Sequence, residues 1–233
     1  MNPELDRLKS AFLAIISHEL RTPLTEIVAA LCLLQEDYVG PLNDRQRQYV
    51  DIAKGAADRL DGLISDLIAF SQLQSEMMET RQELHPLSTL VARVTESLRP
   101  RAQFKELALS FSSVRDLPPI LVDEALITRV VSNLVINAIN FTPAKGQVNV
   151  SVNREPGFQT ITVQDTGVGI PQEKKALLFD SFYQANGYLT RQVGGLGIGL
   201  AYAKRIVEAH KGKITFTSQE GQGSSFVVHL PFP

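Results

Sequence analysis

Four groups of residues in this 233-residue chain have types and spacings that could do chemistry. The first is His18-Glu19, followed by Thr22 and Pro23, inside the apolar run from Phe12 to Leu24. An imidazole offers a nucleophilic nitrogen, and Glu19 and Thr22 put an acid and a hydroxyl within its reach. The second is the pair Asn133 and Asn137, spaced i and i+4 and therefore on one face of a helix. Asparagine in an apolar helix costs stability unless its amide is used. Two such amides could present carbonyl oxygens to Mg2+, a hard cation that also takes phosphate oxygens and water. The third is Asp165-Thr166-Gly167-Val168-Gly169, in which a strand ends on an acid and two glycines. An acceptor-only carboxylate there suits a hydrogen bond from an exocyclic amine such as adenine N6. The fourth is the run containing Gly195, Gly197 and Gly199, which opens a helix at Leu200. Its glycines would let backbone N–H groups approach a phosphate, and the helix N-terminus favours anions.

Each group taken alone has an ordinary structural reading. Paired helix asparagines are commonly caps or cross-helix hydrogen bonds, Asp-x-Gly-x-Gly is commonly a turn, and a glycine run is weak. In this order they point to an ATP site, with a histidine far upstream to receive phosphate. Rival motifs fail. There is no G-x-x-x-x-G-K-[ST], and the glycine run is not G-x-G-x-x-G and follows polar residues rather than a strand. No H-R-D or D-F-G of the protein-kinase fold occurs.

Composition sets the frame. The chain is 44% hydrophobic and 21% charged, which is globular, and its length has room for two ordinary domains. A formal net charge of −2 gives no basic footprint, so no nucleic-acid partner is expected. The single cysteine, Cys32, excludes an internal disulfide. No apolar stretch approaches the ~18 residues of a membrane span. A cytoplasmic location is expected for this chain, and a membrane anchor elsewhere in the parent protein is left open.

The elements that must position these residues fall into two parts. Asn2-Pro3-Glu4 is a helix start, with a cap, a proline at the first helical position and an acid in the first turn. Apolar residues at Leu5, Leu8, Phe12 and Ile15, then Leu20, Leu24, Ile27, Leu31 and Leu34, make one stripe. It stops at residues 38–43, where Gly40 and Pro41 break the chain. Asn43 with Gln46 has capping-box spacing. A second helix carries Ile52, Ala56, Leu60, Leu63, Leu67 and Phe70 in heptad steps. Two helices of about 35 residues cannot bury such stripes on each other alone, whereas two hairpins in a four-helix bundle can. Residues 1–80 are therefore expected to be a dimerising helical hairpin. Pro23 is expected to bend the first helix just after His18.

Residues 81–233 read as a separate α/β domain, with the junction at 81–84. A helix is expected over 87–104, strands at 107–111, 120–122, 148–152 and 160–163, and a helix from Asp123 to Asn140. A further helix over 200–210 and two strands at 213–217 and 225–230 follow. This order suggests a sheet covered by helices on one face. The fold class is α+β.

These residues resemble the catalytic core of a two-component sensor histidine kinase over nearly the whole chain. Phe12 to Leu24 is similar to the family's H box, Asp123 to Thr142 to the N box, Asp165 to Ile170 to the G1 box, Phe179 to Tyr183 to the F box, and Gly195 to Leu200 to the G2 box. The resemblance implies a Bergerat-fold ATP domain, an α/β sandwich shared with DNA gyrase, MutL and Hsp90-type ATPases. Those relatives lack the H box.

The resemblance also implies roles. His18 would accept phosphate through Nε2. Glu19 would orient the imidazole and take a proton. Thr22 would position water for a reverse, phosphatase reaction. Asn137 would hold Mg2+ with Asn133 beside it, Asp165 would read adenine, and Phe141 would stack on its ring. Gly167, Gly169, Gly195, Gly197 and Gly199 would line the nucleotide site. Residues 169–195 would form a lid anchored by Phe179 and Phe182. The implied partners are a second copy of the chain, a response-regulator receiver domain, and an upstream sensor domain outside this chain. Three positions depart from the family's pattern: Asn140 stands for a lysine, Gln184 for an arginine and Leu196 for a threonine or serine. Arg191 would supply one positive charge to phosphate. The alternative reading is a weakly catalytic or phosphatase-dominant dimeric scaffold.

Overall fold

The computed structural model of the protein describes residues 3–35, 40–73, 78, 80–180 and 197–232. The chain divides into two compact units, one built on the first two helices and one holding every described strand.

In the first unit, α1 spans Pro3–Gln35 and α2 spans Asp44–Leu73. The turn expected at 38–43 begins outside the described residues, as does the cap Asn2. Its far side has the predicted capping box. The Gln46 N–H donates to Asn43 Oδ1 and the Asn43 N–H donates to Gln46 Oε1, both at 2.9 Å. Near this turn Gln35 joins the two helices, donating to Asp51 at 2.7 Å and accepting from Lys54 at 2.8 Å. The hairpin's own core is small: Leu24, Ala57 and Ile64 with Val28 and Ile68 packed on it. Much of the expected stripe stays outside that core. Leu20, Ile27, Ile52, Leu60 and Leu63 are exposed. One hairpin has too little facing surface to cover them, as the heptad spacing predicts. Pro23 sits inside α1, which stays helical through it.

The second unit begins with a short ribbon. Strand β1 (Glu83–His85) pairs antiparallel with β3 (Ile120–Val122). The expected domain junction at 81–84 thus overlaps the start of β1. The helix expected over 87–104 is two helices, α3 (Leu87–Ser97) and α4 (Arg99–Phe104). Pro100 explains the break: its ring denies an N–H to the helix and crowds the preceding turn, so it is accommodated in a first turn.

Five strands form the main sheet in the order β2-β4-β5-β7-β6. They are β2 (Ala108–Ser113), β4 (Gln147–Glu155), β5 (Phe158–Asp165), β6 (Lys213–Gln219) and β7 (Gly223–Pro231). β2 and β4 run parallel and the other neighbours antiparallel. Alternation decides the covered face. Val148, Val150, Val152, Ile161, Val163, Phe226, Val228 and Leu230 are buried on it. Helices α3, α5 (Glu124–Phe141) and α6 (Gly199–Ala209) contact the sheet. Asn149, Gln164 and Thr217, one residue out of phase, are exposed. A 3-10 helix at Gln172–Leu177 was not foreseen from sequence.

Candidate functional site

Helix α5 brings the first site residues. Asp123 caps it, its Oδ1 accepting from the Leu126 N–H at 3.1 Å, while Oδ2 accepts from the Arg81 N–H at 2.9 Å. The Asp123 N–H donates in turn to Nε2 of the buried His210 at 3.0 Å. The opposite ring nitrogen lies 2.8 Å from the Ile206 carbonyl, so Nδ1 carries the proton. The helix is thus fixed at its start to both the incoming chain and the end of α6.

One turn apart on α5, Asn133 and Asn137 share a face, as the spacing required. Both are half-buried. Asn133 Nδ2 donates to the Gly199 carbonyl at 3.3 Å, which ties α5 to the first residue of α6 and leaves Oδ1 to other partners. The Asn137 amide makes no hydrogen bond among the described residues. Phe141 closes the helix and is 37% exposed, an open ring rather than a core ring. Asn140 points its Oδ1 to Arg101 at 3.2 Å. Lys105 caps the helix end, donating to the Ile139 and Asn140 carbonyls at 2.8 and 2.6 Å.

At the end of β5, Asp165 is buried, only 7% exposed. Its Oδ1 accepts from the Gly167 N–H at 2.8 Å and from the Ser224 N–H at 3.2 Å. Oδ2 has no partner among the described residues. Burial pushes the carboxyl above the ordinary aspartate range, and the two N–H donors pull partly back. The glycines that follow are required. A Cβ on Gly167 would press on the Phe141 carbonyl and on the carboxylate itself. Gly169 has φ +67°, and a Cβ there would strike the Gln219 carbonyl. The Val168 N–H donates to the Phe141 carbonyl at 3.2 Å, so the turn lies against the end of α5. That contact brings Asp165 and Gly167 against Phe141, and Asn137 lies one turn earlier on the same helix.

Two residues that sequence reasoning passed over belong here. Ser224 supplies the second N–H to Asp165, and Ser218 accepts from the Ile170 N–H at 2.8 Å. The signal was present in Gly221 and Gly223, which mark the tight turn between β6 and β7. Gly223 has φ +94°, and a Cβ there would meet the Asp165 backbone.

The remaining candidates stand as follows. Gly197 has φ +72°, and Gly199 opens α6 beside Asn133. Gly195, Arg191, Gln184, Leu196 and Phe182 lie outside the described residues. Phe179 packs edge-on against Phe216 at 5.8 Å, with Lys204 Nζ 5.6 Å from its ring centre. In the hairpin, His18 lies within α1, but its side chain is outside the described residues. Glu19 and Thr22 are exposed on the same helix, Thr22 one turn beyond His18.

Comparison with known proteins now decides the family. Residues 8–76 match the model of the His Kinase A (phospho-acceptor) domain. Residues 122–233 match that of the histidine kinase-, DNA gyrase B-, and HSP90-like ATPases. The chain belongs to the two-component sensor histidine kinases. It holds their catalytic core: a helical phospho-acceptor part followed by an α/β ATP-binding domain. It is 36% identical over 225 residues to the circadian input-output histidine kinase CikA of Synechococcus elongatus, covering 96% of this chain and 30% of that protein. It is 36% identical over 235 residues to the sensor histidine kinase GacS of Pseudomonas protegens, covering 99% of this chain and 25% of that protein. Among solved structures, full-length ShkA in complex with AMPPNP has a TM-score of 0.72 at 30% identity, over 100% of this chain and 46% of that one. The chain therefore spans less than half the length of these relatives. No described helix is long and apolar enough to cross a membrane.

Proposed function

We propose that this histidine kinase core transfers the γ-phosphoryl group of ATP to His18 and then passes it to an aspartate of a response-regulator receiver domain. The observation that carries the ATP half is Asp165. It is a buried residue whose carboxylate has one oxygen held by two N–H groups and the other without a partner among the described residues. The open oxygen is an acceptor, and the adenine amino group is a donor that can meet it. Phe141 offers an exposed ring beside it for stacking.

Mg2+ fits the same face. The half-buried Asn137 amide has no partner among the described residues, and hard cations take amide oxygens. Among the described residues no cluster of three His, Cys, Asp or Glu side chains occurs. That suits an ion held mainly by phosphate oxygens and water, with Asn137 as the protein ligand and Asn133 beside it. The bound ion supplies charge neutralisation on the transferring phosphate.

The chain's own residues do the rest. Gly197 and Gly199 lead into the α6 N-terminus, where backbone N–H groups and the helix dipole favour phosphate. Arg191 adds a positive charge. The Nε2 lone pair of His18 attacks phosphorus as the bond to the ADP oxygen breaks. Glu19 holds the imidazole in the reactive tautomer and takes its proton. Thr22 positions water for hydrolysis of the phosphorylated regulator.

A homodimer is part of this reading. Leu20, Ile27, Ile52, Leu60 and Leu63 are exposed on one hairpin, and a second hairpin covers them in a four-helix bundle. The signal enters from a sensor domain in the longer parent protein.

The test is His18→Gln with radiolabelled ATP and Mg2+. Acid-labile label disappears while ATP affinity is unchanged, because acceptor and nucleotide lie on different units. Labelling of the variant, or parallel loss of nucleotide binding, would falsify the assignment. A wild-type core that binds ATP yet takes no label would favour the phosphatase-dominant scaffold.

A further inference from the structure

We propose that Ser218 is a positioning residue for nucleobase recognition, its hydroxyl fixing the direction in which Asp165 presents its free oxygen. This rests on the reading that Asp165 accepts a hydrogen bond from adenine.

The strand registers place these residues in one row. Ser218 on β6 is opposite Ser224 on β7, Ser224 is opposite Asp165 on β5, and Asp165 is opposite Val148 on β4. Directly opposed residues in a ladder share a face, so the row runs along the helix-covered side of the sheet beneath the Asp165 carboxylate.

Within that row the Ser218 hydroxyl uses its whole hydrogen-bonding capacity. It accepts from the Ile170 N–H at 2.8 Å and donates to the Gly223 carbonyl at 3.0 Å. The Ser224 hydroxyl lies 2.9 Å away. A hydroxyl has one proton and two lone pairs. With its proton on Gly223, Ser218 must accept from Ser224. One oxygen thereby joins the turn after Asp165, at Ile170, to the start of β7, at Gly223 and Ser224. The Ser224 N–H is itself one of the two donors that hold Asp165 Oδ1. A second tie runs alongside, from the Gly221 N–H to the Val168 carbonyl at 2.8 Å. The other donor to Oδ1, the Gly167 N–H, belongs to the same turn. Both holds on the carboxylate therefore depend on how the turn sits against β7.

Removing the Ser218 oxygen takes a hydrogen-bond partner from the part-buried Ile170 N–H and from the Gly223 carbonyl. The turn and the strand then lose their common anchor, and Oδ2 loses its fixed direction. The chemical consequence is specific to the base. Adenine presents an amino donor where guanine presents a carbonyl oxygen. A carboxylate aimed at that position rewards the first and repels the second, and a loosened one does both less well.

The experiment measures ATP and GTP affinity by calorimetry on the full chain for wild type, Ser218→Ala, Ser218→Thr and Asp165→Asn, with thermal unfolding of each. Ser218→Ala is expected to lose about tenfold in ATP affinity, the size of one net hydrogen bond, and to narrow the ATP/GTP ratio by a similar factor. Ser218→Thr, which keeps the hydroxyl, restores the ratio. An unchanged ratio in Ser218→Ala overturns the inference, whether its melting temperature falls or not, because a merely structural serine alters stability without altering choice of base. A wild type that binds ATP and GTP equally overturns the Asp165 reading itself. A discriminating wild type with an indifferent Ser218→Ala overturns only the role of Ser218.

Discussion

The backbone N–H of Ser224 donates to Oδ1 of Asp165 at 3.2 Å across 59 residues of sequence. This bond and the one from Gly167 occupy the same oxygen, so the buried carboxylate has one satisfied side and one open side. Burial disfavours the charged form of this carboxyl, and the two N–H donors offset part of that cost.

Asp165→Asn separates stability from binding. Asparagine keeps an oxygen for the Gly167 and Ser224 N–H groups and removes a charge whose ionisation burial disfavours. The apo protein is expected to melt at the wild-type temperature or above it. ATP affinity is expected to fall by at least about tenfold, the worth of a charge-assisted hydrogen bond at the low end. Calorimetry and thermal unfolding on the same samples check this, and a lower melting temperature with intact ATP binding contradicts it.

The direction of the Asp165 shift fixes a pH dependence. Its folded pKa lies above the unfolded value, so the ionised form is penalised in the fold at neutral pH. As pH falls through the folded pKa, that penalty is relieved, and this group's contribution to apo stability improves. ATP binding moves the other way, because the protonated carboxyl is a poorer acceptor. ATP affinity is therefore expected to decline on acidification from a pH above the ordinary aspartate range. Asp165→Asn should flatten that limb of the profile.

Gly169→Ala is expected to be severe. A side chain at φ +67° is strained by about 1 kcal/mol or more, and its Cβ also meets the Gln219 carbonyl. The turn must leave the β6–β7 corner, taking Asp165 with it. Loss of ATP binding with a drop in melting temperature is the expected result. Gly157→Ala is the control, since its φ of +76° carries the same strain while a Cβ there meets nothing within 4 Å.

His210→Phe removes the acceptor of the Asp123 N–H without leaving a cavity. An unpaired part-buried N–H costs about 1–3 kcal/mol, so a clear fall in melting temperature is expected. ATP affinity should change less than stability, because His210 holds the start of α5 while Asn137 and Phe141 lie at its other end. An unchanged melting temperature would show that Asp123 finds another partner.

Legibility from sequence followed the range of the interactions. Helix periodicity, the Asn43–Gln46 capping box and the i, i+4 placement of Asn133 and Asn137 are set within a few residues, and all were readable directly. The heptad stripe also predicted that one hairpin would leave apolar residues such as Ile27 and Ile52 uncovered. Pro100 is the local signal for the break between α3 and α4, which the single helix expected over 87–104 did not include. The pairing of β1 with β3 was not readable, since three residues of strand carry no periodicity of their own.

The two-part plan and the choice of Asp165 and Asn137 as candidate ligand-binding groups were legible in the sequence, because they follow from periodicity and residue chemistry. Three facts needed the fold: Ser218 and Ser224 stand in the same row as Asp165; Asp165 Oδ1 is taken while Oδ2 has no partner among the described residues; and Asn140 faces Arg101. The first two depend on strand order and register, and the third on how α4 and α5 meet. Pairing across the sheet joins Asp165 to Ser224 over 59 residues of sequence with no local signal, and a shift of one residue in register would have turned the serines to the opposite face.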